Sequence, residues 1–255
     1  MSCFGAYSQY YDLLYADKDY AAEVDYVCGL LKRYADGKSC SLLELGSGTG
    51  VHAELMARNG FSIHGVELSE QMLESARRRE KASNSDVRVF QGDARNYRAG
   101  QRFDAVISLF HVLSYQTTDD DLGRMLETAA IHLDAGGLFI FDFWYGPAVL
   151  RQGPSVRVKR LENEFVSVVR IAEPEMHDTE CLVDVNYTIF SEDRKEGRIE
   201  KLQETHRMRY FFLHELDAHL ERVGFSRLVA EEWLTGALPS TQTWGVTVVC
   251  KRIRP

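Results

Sequence analysis

Cysteine is scarce and scattered in this chain. Its five residues, Cys3, Cys28, Cys40, Cys181 and Cys250, form no C-x-x-C pair. A zinc ribbon and a dithiol redox motif are therefore excluded, and an odd count leaves a disulfide framework unclosed. Reduced thiols in a cytoplasmic protein are the simpler expectation, and the sequon Asn186-Tyr187-Thr188 is then chance. Long apolar runs are missing as well. Nothing reaches the ~18 residues that a membrane-spanning helix needs, and Met1 to Tyr15 has no basic stretch ahead of an apolar core, so no signal peptide is expected. Nor is there a basic excess: 30 Lys+Arg stand against 38 Asp+Glu, a net charge of −8. That is the opposite of a nucleic-acid footprint, and it disfavours an anionic membrane surface. Small molecules remain as partners, either neutral or cationic, or anionic if a local basic site holds them. Internal repeats and low-complexity segments are absent too.

What is present is a regular alternation. Val24, Val27, Leu30 and Leu31 recur at helical spacing between Tyr20 and Tyr34, and Asp36-Gly37 should stop that helix. Cys40 to Leu45 is a short apolar run ending in glycines, which reads as a buried strand. A helix from His52 to Asn59 follows, then a strand from Phe61 to Glu67. Ser69 should cap a helix reaching Lys81, with Met72 one turn inside. Strands are expected at Asp86–Phe90, Phe103–Leu109 and Leu138–Phe143, with a helix from Asp119 to Leu133 closed by Gly136-Gly137. Strands alternating with helices imply a doubly wound, mostly parallel sheet, whose ligands sit beyond the carboxyl ends of the strands.

After Pro147 the pattern changes to β alternation: Val156 to Lys159, Phe165 to Val169, Leu182 to Tyr187 and Glu204 to Phe212. A helix from His214 to Val223 and strands at Ser226–Trp233 and Thr243–Lys251 then complete the main sheet. The expected architecture is α/β, with a doubly wound seven-stranded sheet and an inserted small antiparallel β-sheet. Residues 1–37 should form an N-terminal helical lid segment, 38–150 and 213–255 the core, and 151–212 the insertion. The insertion should cover one side of the active site, contribute to a homodimer, or do both.

The stretch Glu44-Leu45-Gly46-Ser47-Gly48-Thr49-Gly50 carries the most chemistry. Glycines at 46, 48 and 50 allow a sharp turn and close backbone approach by a ligand. The spacing is not the G-x-G-x-x-G that sets a pyrophosphate on a helix N-terminus. S-adenosylmethionine has no phosphate and needs a groove for its amino-acid tail. Glu67, at the end of the second strand, can take both ribose hydroxyls. Asp93 in Gln91-Gly92-Asp93-Ala94 can accept from the adenine amine, and Glu44 can orient the loop or meet the ligand's ammonium. Each feature alone is compatible with a tight turn or a solvated acid. Together they fall at successive strand ends of one sheet. Ser47, Leu68, Met72, Ala94 and Leu109 complete the expected cofactor-binding set.

The ordered segments ELGSGTG, GVELS, QGDAR, FDAVISLFHVLSY and LDAGGLFIFDF resemble those of class I S-adenosylmethionine-dependent methyltransferases. The resemblance spans residues 38–143 well and 213–252 loosely. The N-terminal YYDLLYADKDY, and the β insertion followed by ETHRMRYFFLHEL, are similar to the branch that N-methylates nucleotide-linked amino sugars. That resemblance implies an N-terminal tyrosine, matched by Tyr11, closing over the cofactor. It also implies a histidine after the fourth strand. Here Tyr115 aligns near that position and His111 lies one turn earlier, so Tyr11, His111 and Tyr115 stand together as candidates for proton or orientation roles. Trp144 and Tyr145 suit either a core or a substrate wall.

Other signals are set aside. Gly37-Lys38-Ser39 precedes its strand and is not a phosphate loop. His214-Glu215 and His219 have the wrong spacing to face one metal, so no metal is expected and the histidines should be solvated. Glu231-Glu232 and Arg77-Arg78-Arg79 should be solvated faces. The expectation is methyl transfer to a small-molecule acceptor, such as the amine of a nucleotide-linked amino sugar. An O-methyltransferase acting on another metabolite and a non-catalytic adenosylmethionine-binding scaffold remain alternatives.

Overall fold

A computed structural model describes residues 8, 10–35, 37, 40–83 and 85–253. The expected helix stop at Asp36, the Lys38-Ser39 pair and the first of the N-terminal tyrosines, Tyr7, lie outside those residues. The core strands are β1 (Ser41–Leu45), β2 (Ser62–Glu67), β3 (Val87–Gln91), β4 (Phe103–Ser108) and β5 (Leu133–Tyr145). They pair in parallel in the order β3-β2-β1-β4-β5. The helices between them are α3 (Val51–Arg58), α4 (Glu70–Ala82) and α5 (Asp119–Ile131), preceded by α1 (Tyr11–Leu14) and α2 (Tyr20–Tyr34).

Side-chain alternation divides the core. On β1, Leu43 and Leu45 join Leu122, Leu126, Leu216 and Leu220 in one cluster. Leu42 joins Val24, Leu31, Met56 and Leu73 in another. On β5, Phe139, Phe141 and Phe143 go to the first face, and Leu138 and Ile140 to the second. Each such side chain contributes about 1.5–3 kcal/mol by leaving water. By the same period of two, Glu44 and Asp142 share the α2/α3 face, so two buried acids converge at the carboxyl edge. Helix ends follow their caps: Asp19 accepts from Ala22 N at 2.9 Å, Ser69 from Met72 N at 3.4 Å and Thr118 from Asp121 N at 3.1 Å.

Three expectations are corrected. The helix before β5 ends at Ile131, and Gly136, with φ +90°, sits inside β5 instead of stopping a helix. β5 also runs on to Tyr145, and its last two residues pair with Tyr210 and Phe211. The inserted strands β6 (Arg157–Glu162), β7 (Val166–His177), β8 (Leu182–Asp193) and β9 (Ile199–Phe211) form an antiparallel meander. Through β5 they join the core in one mixed 11-stranded sheet, larger and less parallel than the seven-stranded sheet with a small separate insertion that was expected. A further helix, α6 (Gly146–Gln152), follows β5, and α7 (Leu213–Arg222) leads to β10 (Phe225–Glu232) and β11 (Gly245–Arg252). β11 lies antiparallel to both β5 and β10. Among the described residues no helix is long and apolar enough to cross a membrane.

Candidate active site

The carboxyl ends of the core strands border a cavity of about 810 Å³. Its floor is the loop between β1 and α3, where Gly46, Gly48 and Gly50 have φ of +79°, +57° and +80°. A Cβ at Gly46 would lie 2.6 Å from a Val112 methyl carbon, so that position needs glycine for both backbone angle and space. Beneath the loop Glu44 is 1% exposed. Its Oε2 and the Ser47 hydroxyl make no hydrogen bond among the described residues. Burial, reinforced by the Glu67 charge and opposed by Lys18, pushes the Glu44 carboxyl up to about 8. An orphaned buried carboxylate oxygen of this kind fits a cationic ligand group, such as the ammonium of an amino-acid tail.

Glu67 accepts from Gly48 N at 2.8 Å and from Ser69 N at 2.7 Å. One carboxylate thus ties the glycine loop to the start of α4, while each oxygen keeps acceptor capacity toward the cavity it lines. Burial raises its pKa, and the backbone donors oppose the rise. Asp93 has a partner of its own. Arg95 Nη2 lies 2.5 Å and Nε 2.9 Å from its oxygens, and the same guanidinium reaches Asp121 at 2.6 Å. This pairing holds the Asp93 carboxyl below the usual range, so a ligand amine would share an acceptor already engaged. Met72 and Leu109, each 2% exposed, are buried wall residues, Ala94 is half-buried, and Leu68 is an exposed rim residue.

The N-terminal segment forms the next wall. Asp12 accepts from Thr49 Oγ1 at 2.6 Å and pairs with Arg79 Nη2 at 2.5 Å, which fastens α1 to the glycine loop. Arg79 is therefore not part of a solvated face. Tyr11 packs on Tyr15 with ring centroids 4.7 Å apart, and Tyr15 meets Phe110 edge-on at 5.0 Å. The Lys18 ammonium lies 3.5 Å over the Phe110 ring and 2.8 Å from Glu23. Burial lowers its pKa, and Glu23 opposes that.

After β4 the chain bends through Phe110 and His111, with φ of 66° and 62°, a left-handed pair costing about 1–2 kcal/mol per residue. A 3-10 turn, Val112–Tyr115, follows. The bend brings His111 over the edge of the sheet. Its backbone N donates to Asp142 Oδ2 at 3.0 Å, and its Nδ1 lies 2.7 Å from the same oxygen. At the other end of the turn the Tyr115 hydroxyl is 2.8 Å from His206 Nδ1, and His206 Nε2 is 3.0 Å from Glu204 Oε1.

Tyr11, His111 and Tyr115 all line the cavity, as do the expected cofactor-set residues on its floor, apart from Glu44 and Gly50 just beneath. Asp142 and His206 were missed. The signal for His206 lay in β9, where His206, Met208 and Tyr210 are buried at alternate positions, so that a histidine stands in an apolar series. Two expectations of solvation also fail. His219 is 7% and Glu231 4% exposed; Tyr26 donates to Glu231 at 2.8 Å. His219 lies in a cluster with Asp119 and Glu215, into which Arg209 brings the positive charge by pairing with both acids.

Known proteins resemble this chain over the same region and beyond it. A family model described as a methyltransferase domain matches residues 42–137. The dTDP-3-amino-3,4,6-trideoxy-alpha-D-glucopyranose N,N-dimethyltransferase of Streptomyces venezuelae is 34% identical over 182 residues, 70% of this chain and 74% of that protein. The dTDP-3-amino-3,6-dideoxy-alpha-D-glucopyranose N,N-dimethyltransferase of Streptomyces fradiae is 29% identical over 224 residues, 87% of this chain and 84% of that one. Among solved structures, Streptomyces venezuelae DesVI superimposes with a TM-score of 0.80 at 26% identity, covering 97% of this chain and 98% of its own. The sugar N-methyltransferase KedS8 from Streptoalloteichus, 23% identical, gives 0.82 over 100% and 97% of the two chains.

Proposed function

This chain belongs to the S-adenosylmethionine-dependent methyltransferases, and from that premise we propose that it methylates, twice in succession, the amine of a sugar carried on dTDP. The observation that carries the reading is the shape of the cavity. It runs from the glycine loop, which suits the cofactor, to the inserted sheet, where Arg157 and Arg170 line it. Those guanidiniums offer an anionic substrate the local basic site that the overall charge of −8 lacks.

Bound adenosylmethionine supplies an activated methyl group. The chain's residues hold and align the reactants. In this reading Glu44 meets the ammonium, Glu67 the ribose hydroxyls and Asp93, sharing with Arg95, the adenine amine. Gly46, Ser47, Gly48 and Gly50 let the ligand approach the backbone, and Leu68, Met72, Ala94 and Leu109 enclose the rings. Tyr11 covers the reaction centre, and His111 and Tyr115 orient the acceptor amine. Of the expected lid segment 1–37, residues 10–18 act as lid, while α2 packs in the core; 38–150 with 213–255 act as cofactor core and 151–212 as substrate cover. The outer strand β6 is the edge through which a homodimer would assemble. The protein is read as cytoplasmic.

The test is incubation of purified protein with adenosylmethionine and a panel of dTDP-linked 3-amino and 4-amino sugars, followed by mass spectrometry. Gain of one and then two methyl groups is expected. Methylation of hydroxylated metabolites alone would favour O-transfer. Cofactor binding without any transfer would favour a scaffold. Monomer at high concentration in light scattering would remove the dimer.

A further inference from the structure

Asp142 is an acid buried to 1% exposure on β5, on the face where Leu138 and Ile140 join an aliphatic cluster. Both contacts of its Oδ2 come from one residue of the bend after β4: the His111 backbone N donates to it at 3.0 Å, and His111 Nδ1 lies 2.7 Å away. Asp142 Oδ1 has no hydrogen-bond partner among the described residues. Other charged groups act on this carboxylate from further off, Lys18 from the N-terminal segment and His52 from α3. Lys18 has its own counter-charge in Glu23 of α2, 2.8 Å away, and it also acts on Glu44 of β1. The two positive φ angles at Phe110 and His111 bring the His111 backbone and ring to the same oxygen. Backbone held in such a conformation persists only where its surroundings over-determine it, and such places cluster at functional sites.

An ionised carboxylate only accepts hydrogen bonds. A bare Nδ1 at 2.7 Å would set its lone pair against those of the carboxylate, so the proton of a neutral His111 belongs on Nδ1. The contact is too bent to rank as a full hydrogen bond, and Asp142 acts on the ring mainly through its charge. A buried charge is costly unless it is paired, which couples Asp142 to a proton on His111. The ring is also fixed in direction. Nδ1 is buried, a Cβ built on Gly245 would lie 3.4 Å from Cε1, and Trp144 stands edge-on at 6.3 Å. The side chain is 22% exposed and borders the cavity, so the edge it turns to the cavity carries Nε2 with an unprotonated lone pair. An acid that sets the tautomer of an imidazole in this way is half of the acid–histidine–hydroxyl triad.

We propose that Asp142 makes His111 a general base, which takes the proton from the acceptor ammonium before each methyl transfer. The inference rests on the reading of the site as one that methylates an amine. An alkylammonium holds its proton at neutral pH, and while it does the nitrogen has no lone pair with which to attack. His111 Nε2 takes that proton, and the imidazolium so formed is paired with the Asp142 carboxylate. The freed lone pair forms the C–N bond as the C–S electron pair returns to sulfur. The imidazolium then gives its proton to water. The methylated nitrogen is again an ammonium, and the same step readies it for a second transfer. His111 touches the acceptor, whereas Asp142 is a positioning residue that acts through it.

The experiment follows kcat/KM on a dTDP-linked amino sugar from neutral to alkaline pH, for wild-type protein, His111→Gln and Asp142→Asn. Without the base, only the neutral fraction of the amine can react. The His111→Gln rate should be down about 100-fold near neutral pH, the usual scale of general acid–base catalysis. It should fall about tenfold per pH unit below the amine's own titration and approach wild type above it. Asp142→Asn offers Nδ1 an amide N–H, which favours the opposite tautomer, and its rate should show the same alkaline recovery. Cofactor affinity should change little in either variant. A loss that persists unchanged at alkaline pH marks a merely structural role and overturns the base, as does an unaltered rate near neutral pH. A second readout needs no variant. In the free wild-type protein, 15N-histidine NMR should show neutral His111 as the Nδ1–H tautomer, and an Nε2–H tautomer overturns the proposal even if a variant fails to fold. Wild-type protein that methylates no amino sugar at any pH fails the functional reading itself, whereas wild-type activity with a pH-independent loss in the variants fails the base alone.

Discussion

Glu44 carries a carboxyl beneath the glycine loop with one oxygen unsatisfied and its pKa pushed from 4.5 up to about 8. A group whose folded-state pKa is raised binds a proton more tightly in the folded chain. Its contribution is complete below about 4.5 and is lost as pH climbs through about 8. Glu44→Gln should therefore flatten the fall in melting temperature across that window, leaving ligand-free protein more stable than wild type at its upper end. The cofactor ammonium should favour the ionised carboxylate, so cofactor uptake near neutral pH should release a proton that Glu44→Gln does not release. Calorimetry in two buffers of different ionisation enthalpy measures this, and equal proton release by both proteins would refute the pairing. Glu67 poses a different problem, because its two oxygens already hold Gly48 N and Ser69 N. Glu67→Ala should weaken cofactor affinity by about 1–3 kcal/mol, the cost of removing a charged acceptor from buried donors. Isothermal titration with unchanged affinity would dismiss the ribose role.

At the level of elements, what could be read from the sequence was what is local to it. The glycine loop, Glu67 at the end of β2 and the Ser69 cap lie in one stretch of chain, where turn chemistry and period identify them. The partners of His111 and Tyr115 do not. Asp142 reaches His111 only because β5 lies beside β4, and His206 reaches Tyr115 only because β9 pairs with the last two residues of β5. The bend that aims both residues has its positive φ angles on Phe110 and His111, which give no glycine signal. Gly136-Gly137 did give one, and it misled, because there the glycines serve an irregularity inside a strand. Gly46 shows how tightly these elements are coupled: φ of +79° and a Val112 methyl carbon 2.6 Å from a built Cβ make the loop and the 3-10 turn one unit. Gly46→Ala should cost about 1–2 kcal/mol from backbone angle alone, with more from displacement of Val112. Gly46→Ala/Val112→Ala should recover only the second part. Denaturant melts of the two variants separate these contributions, and full recovery in the double variant would mean that backbone angle contributes little.

Across the whole molecule, the N-terminal segment is the piece that touches both halves of the cavity. Asp12 binds it to Arg79 and Thr49 of the core. On the inserted sheet, Tyr10 donates to Ser191 at 2.8 Å, and Lys159 Nζ reaches Leu14 O at 2.6 Å and Asp17 at 2.5 Å. Leu14 is fully buried against Val168 and Ile189. A segment of this size cannot form a core alone, and its order depends on these ties. Opening a path for the cofactor therefore requires release from one side, and the two sets of ties are unequal. The contact with the sheet is apolar and buried along α1, whereas α1's tie to the core is the Asp12–Arg79 pair, about half and a third exposed and so weak. The buried core contacts of the segment lie at its far end, where Lys18 meets Glu23 and Phe110, which places the hinge there. The segment should then open from the core while staying on the insertion. Hydrogen exchange should show residues 10–18 strongly protected when adenosylhomocysteine is added, with β7 and β8 changed little. Asp12→Ala should speed exchange of residues 10–18 in the ligand-free protein and weaken cofactor affinity several-fold, about 1 kcal/mol. Lys159→Ala should leave that affinity within twofold. If ligand leaves exchange of residues 10–18 unchanged, or if Lys159→Ala rather than Asp12→Ala loosens the cofactor, then the segment is fixed packing or hinges on the other side.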